Sequence, residues 1–150
     1  MDPGVQNFNS VLAVDDDPSA LAIYRAYFLS IGVTRYLEAP SGVSALELLN
    51  RERDPVDLIQ IDIYMPEMDG IELLRLLHEM NYSGSIVIAS GARAYDRSSA
   101  VNLASTYQLD IIGEIRKPIS RDRLDAVYRP QSLAPGPFLE APFQPAPAAS

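Results

Sequence analysis

Short apolar runs alternate with helical patterns five times along this chain, and no other feature constrains the fold as much. Val11-Leu12-Ala13-Val14 is apolar throughout, which predicts a strand buried on both faces. Val33 to Leu37, Leu58 to Ile61, Ile86 to Ala89 and Gly113 to Arg116 predict four more strands. Between them the apolar period changes to that of a helix. Asp17 caps the first helix with Pro18 at its opening position, and Leu21, Tyr24, Phe28 and Leu29 recur at helical spacing. Ser41 starts a second, carrying Ala45, Leu46, Leu48 and Leu49, and Asp69 caps a third over 70–80. A weaker pattern covers Ser98–Tyr107, and Ser120 caps a last helix with Leu124 and Val127 inward. Strands and helices in this order predict right-handed crossovers and an α/β domain. Its core is a doubly wound five-stranded parallel sheet with five helices on both faces.

A sheet of this kind binds its ligand at the carboxyl ends of the strands, where the strand order reverses. Strand one ends in Asp15 and Asp16, strand three in Asp62, strand four in Ser90 and strand five in Lys117. Three carboxylates at one sheet edge repel one another, which raises their pKa values or demands a cation. Mg²⁺ suits them, because it takes a few carboxylates together with water and phosphate oxygens. A lysine adds a second positive charge for a phosphoryl oxygen, and a serine hydroxyl adds a neutral donor. These groups predict a site that accepts a phosphoryl group on a carboxylate. The chain has 11 arginines and a single lysine, and that lysine falls at this edge.

The runs VLAVDDDP, DLIQIDIYMPEMDG, VIASG and IRKP, in this order over residues 10–129, resemble a response-regulator receiver domain of bacterial two-component signalling. The resemblance implies a flavodoxin-like strand order of 2-1-3-4-5, with Asp62 as phosphoacceptor. It implies that Asp15, Asp16, Asp62 and the backbone carbonyl of Tyr64 hold Mg²⁺. It puts Ser90 at the family's switch Ser/Thr, Lys117 at its lysine, and a cis peptide bond between Lys117 and Pro118. The implied partners are a sensor histidine kinase or phosphotransfer protein and a downstream output domain or protein. The chemistry would be self-catalysed phosphoryl acceptance with slow autodephosphorylation, so the chain is not read as an enzyme. A homodimer is compatible with this reading.

Some positions depart from the family's pattern. Glu114 occupies the switch position where most receivers carry Tyr or Phe, and Gly91 follows Ser90 in place of the usual alanine. The interval from Ser90 to Lys117 is a few residues longer than the family's pattern, with the extra chain around Tyr107–Ile112. With the run Gly113-Glu114-Ile115-Arg116-Lys117-Pro118, these features resemble receivers attached to EAL-type cyclic-di-GMP phosphodiesterase domains. Glu114 also keeps open an interaction module that works without phosphorylation. A Mg²⁺-dependent aspartyl-phosphate phosphohydrolase is the third reading; such enzymes need an acid two residues after the nucleophile, where this chain has Tyr64.

Other residues read more simply. Asp17 is a helix cap, and Met65, Pro66, Met68 and Gly70 shape the loop after Asp62. His78 is a surface or packing residue, and Tyr24, Tyr27 and Phe28 are packing residues. Tyr64 and Arg93 flank the expected site. Six of the 12 prolines fall in residues 130–150 with five alanines and one charge, which predicts a disordered tail or linker, and residues 1–9 read as a disordered lead. A net charge of -8 argues against nonspecific nucleic-acid or anionic-membrane binding. The absence of cysteine excludes disulfides and thiolate chemistry. No run approaches the length of a membrane span, and a cytoplasmic location is the expectation.

Overall fold

The structure is a computed structural model that describes residues 8–91, 102 and 105–129. Its elements in chain order are β1 (Ser10–Val14), α1 (Pro18–Ser30), β2 (Arg35–Ala39), α2 (Gly42–Arg51), β3 (Leu58–Asp62), α3 (Gly70–Glu79), β4 (Ser85–Ser90), β5 (Asp110–Arg116) and α4 (Arg121–Tyr128). The five strands are all parallel in the order β2-β1-β3-β4-β5. The order reverses between β1 and β3, so their carboxyl ends flank the crevice that such a sheet offers a ligand. The predicted helix over Ser98–Tyr107 falls largely outside the described residues. Ser105 and Thr106 are helical, with the Thr106 hydroxyl donating to the Asn102 carbonyl at 3.1 Å.

Alternate residues of each strand feed two cores. Leu12, Val14, Ile59, Ile61, Ile86 and Ile88 face α2 and α3, where Leu73, Leu74 and Leu77 meet them. Val11, Ala13, Leu58, Val87, Ala89 and Ile115 face α1 and α4, against Tyr24, Tyr27, Phe28, Leu124 and Tyr128. Each fully buried Val, Leu, Ile or Phe among them contributes ~1.5–3 kcal/mol of transfer free energy. Covering both faces is what turns the alternation expected of a half-exposed strand into continuous apolar runs.

The caps match the sequence reading. Asp17, Ser41, Asp69 and Ser120 each accept a backbone N–H of the first helical turn. Two strands differ from expectation. β2 begins at Arg35, two residues later than predicted, because Gly32 takes a left-handed φ of 99° and the chain is still turning at Val33. The Val33 N–H donates to the Phe28 carbonyl, so its buried side chain packs from a turn. β5 begins three residues early at Asp110, and its register against β4 shifts between Ile86 and Val87, leaving Ile112 as a bulge. The bulge takes up one residue of the long interval before Lys117.

Candidate functional site

β1 delivers Asp15 to the sheet edge with its side chain fully buried. Asp15 Oδ1 accepts the Asp17 N–H at 2.9 Å, and the Asp15 N–H donates to the Ala39 carbonyl at 3.1 Å. Asp16 is exposed, and Asp17 turns away to cap α1 through the Ser19 N–H at 2.9 Å. β3 ends in Asp62, 4% exposed, whose Oδ1 accepts the Tyr64 N–H at 3.3 Å. Lys117, just past β5, reaches between the two buried acids. Its Nζ lies 2.8 Å from Asp15 Oδ2 and 3.3 Å from Asp62 Oδ2. Lys117 is anchored from behind: its N–H donates to the Ser90 carbonyl at 3.1 Å, and the Lys117–Pro118 bond is cis. Ser90 itself is fully buried at the end of β4.

Glycine has a specific use beside Asp62. A Cβ on Gly70 would lie 2.8 Å from Ile63 Cα and 2.9 Å from the Asp62 carbonyl oxygen. Only glycine therefore lets α3 start this close to the end of β3, where the Gly70 N–H donates to the Ile63 carbonyl at 2.8 Å. The loop between them includes Glu67 in the left-handed region, with φ 71°.

The electrostatics follow from this crowding. Burial pushes the Asp62 carboxyl up to about 7, the Asp15 charge adds to the rise, and Lys117 and the Tyr64 N–H pull it back. Burial alone would lower the Lys117 ammonium, but Asp15 and Asp62 outweigh it and the net shift is upward. One lysine thus faces two buried carboxylates, with Asp16 close by. Carboxylate oxygens of Asp15, Asp16 and Asp62 all lie within 4.8 Å of one another. Hard oxygen donors, two buried and one open to water, fit a divalent cation that keeps part of its hydration shell.

The family model for the response regulator receiver domain matches residues 11–129. This chain belongs to that family. Curated relatives include the transcriptional regulatory protein DcuR of Escherichia coli O6:H1, 27% identical over 117 residues, covering 77% of this chain and 47% of DcuR. The two-component response regulator ORR24 of Oryza sativa subsp. indica is 32% identical over 122 residues, covering 79% of this chain and 18% of ORR24. The chain therefore spans less than half the length of these relatives. A crystal structure of a response regulator from Colwellia psychrerythraea superposes with a TM-score of 0.70 at 28% identity, covering 84% of this chain and 98% of that one.

The remaining candidates fall at different distances from this receiver's acidic edge. The Tyr64 side chain is half exposed while its backbone turns over Asp62. Glu114 is exposed on β5, paired in register with Ile88, and engages a neighbour. His78 stacks on Tyr107 with ring centroids 5.0 Å apart, on the last turn of α3, away from the strand ends. Arg93 lies outside the described residues. Among the described residues no helix is long and apolar enough to cross a membrane. Sequence reasoning missed one polar group below the site: Gln60, fully buried in β3 and bonded to Tyr128. The signal was available, a glutamine inside the apolar run Leu58-Ile59-Gln60-Ile61.

Proposed function

We propose that this receiver is a phosphorylation-dependent signalling switch in which Asp62 accepts a phosphoryl group from phosphohistidine on a sensor kinase or phosphotransfer protein. The observation that carries the reading is Lys117 Nζ set 2.8 and 3.3 Å from two buried carboxylates, with a third carboxylate within 4.8 Å. An Asp62 oxygen attacks phosphorus in line, the P–O bond forms, and the P–N bond to the histidine breaks. Lys117 leaves its carboxylate partners to meet the new charge on the phosphoryl oxygens, and the Ser90 hydroxyl donates to another of them. Asp15, Asp16, Asp62 and the Tyr64 carbonyl would hold Mg²⁺. When bound, the ion supplies positive charge that offsets the carboxylates and the incoming phosphoryl oxygens.

Tyr64, a phenol two residues past Asp62, supports a switch over a phosphohydrolase, which would need an acid there for proton transfer. The run from Gly113 to Pro118, with Glu114, Gly91 and the long interval before Lys117, supports attachment to an EAL-type cyclic-di-GMP phosphodiesterase, with residues 130–150 as the linker and 1–9 as a lead. A cytoplasmic location follows from a kinase partner of this chemistry. Glu114 in place of an aromatic favours a second reading, an interaction module independent of phosphorylation, and the same experiment separates the two. Beryllofluoride with Mg²⁺ mimics the acyl phosphate, and amide NMR spectra of the wild type and Asp62→Asn report its binding. The switch predicts saturable shifts around Asp15, Ser90 and Lys117 that the variant lacks. Spectra unchanged in the wild type favour the phosphorylation-independent module.

A further inference from the structure

Gln60, Leu58 and Asp62 project from the same face of β3, the face covered by α1 and α4. Gln60 therefore lies directly below Asp62 in the interior, and it is fully buried. Its Oε1 accepts the Tyr128 hydroxyl at 2.5 Å, and its Nε2 donates to the Val87 carbonyl at 3.4 Å. Tyr128 is itself fully buried, on the last turn of α4. The residue before it, Val127, fills the space above Gly113, where a Cβ would lie 2.7 Å from Val127 Cγ1. The end of α4 is thus keyed to the sheet twice, by shape at the β5 bulge and by a hydrogen bond to the strand that carries Asp62.

Tyr24 of α1 completes this layer. It is fully buried, and its hydroxyl has no hydrogen-bond partner among the described residues. Burial pushes the Tyr24 phenol up and the Asp15 and Asp62 charges add to the rise; burial likewise raises Tyr128, with Tyr24 and Tyr27 adding to it. A spare donor therefore stands in the same buried core as Tyr128. Leaving a buried polar group unmatched costs ~1–3 kcal/mol, so the layer has few arrangements and strong preferences among them.

We propose that the buried Gln60–Tyr128 pair couples the occupancy of the Asp62 site to the position of α4. The inference rests on the reading of Asp62 as phosphoacceptor. A change at the end of β3 alters Gln60 two residues away. Both partners are buried, so losing this bond leaves an unmatched polar group, and α4 either follows Gln60 or Tyr128 loses its partner at that cost. Residues Gln60 and Tyr128 are positioning residues in this scheme, and neither touches the phosphoryl group.

Coupling is reciprocal, so breaking the pair must change the affinity of the site. The experiment titrates beryllofluoride with Mg²⁺ into the full chain, comparing wild type, Gln60→Met, Tyr128→Phe and the double variant. Both substitutions keep the side-chain bulk, so packing survives. Tyr82→Phe is the control, because its hydroxyl contacts the Val56 and Ser85 carbonyls at the opposite end of the sheet. The proposal predicts that each single variant shifts half-loading by about threefold or more in the same direction, that the double variant equals a single one, and that Tyr82→Phe stays at the wild-type value. Loading equal to wild type in all variants, or effects that multiply in the double, overturns it and leaves a purely structural bond. Failure of the wild type to load overturns the phosphoacceptor reading itself, and the coupling with it.

Discussion

At the scale of single residues, the site is a problem in charge balance. Asp62 shifts from an ordinary value of 3.8 to about 7 because it is buried beside Asp15. Between those values the folded chain holds a proton that the unfolded chain has released, so stability falls as pH rises through that window. Asp62→Asn lacks the slope. Urea unfolding in a metal chelator should find the variant more stable by ~1 kcal/mol or more above the window, with the gap closing toward its acid end. A wild type at least as stable at the alkaline end contradicts the account. Lys117 supports a second prediction. A planar guanidinium cannot occupy the pocket between Asp15 and Asp62 as a compact ammonium does. Lys117→Arg should still take up phosphoryl groups from acetyl phosphate but lose the accompanying NMR shifts in α4. Shifts of wild-type size in that variant would remove the signalling role assigned to Lys117.

At the scale of elements, the close start of α3 beside β3 is the most exposed to test. Gly→Ala inside a helix usually stabilises, by ~0.5–1 kcal/mol. At Gly70 the new Cβ meets two backbone groups below 3 Å, so Gly70→Ala should destabilise by ~1–3 kcal/mol and weaken Mg²⁺ binding through Asp62. Denaturant unfolding and a Mg²⁺ titration check both parts, and a stabilised variant contradicts them. Elements also show what was legible in the sequence. β1, β3 and β4 are buried on both faces, so their runs are mainly apolar and their limits fell within one residue of expectation. β2 was displaced because Val33 is buried from a turn, and burial alone cannot distinguish a turn from a ladder. β5 opens on the exposed Asp110 and carries a bulge, so periodicity failed where backbone pairing prevailed. The site residues were legible because they follow directly on strand ends. The pairing of Gln60 was hidden because its partner Tyr128 is 68 residues away.

At the scale of the whole molecule, the strand reversal between β1 and β3 makes one edge carry all of the chemistry. Binding at that edge should therefore stabilise the fold as a unit. Mg²⁺ at about 100 times its Kd should add ~2.7 kcal/mol to the wild type and nothing to a variant with Asp15 and Asp62 both changed to Asn. Thermal unfolding with and without Mg²⁺ decides this, and equal gains in both proteins would place the ion elsewhere. The family model ends at Arg129, and a chain cut there should keep the stability of the full chain if residues 130–150 serve as a linker. The central claim remains that Asp62 is the phosphoacceptor. The most direct measurement incubates the chain with acetyl phosphate and Mg²⁺, reduces the acyl phosphate with borohydride, and maps the modified peptide by mass spectrometry. The account predicts one modification per chain, at Asp62, absent in Asp62→Asn. Modification at another residue, or none, would contradict it.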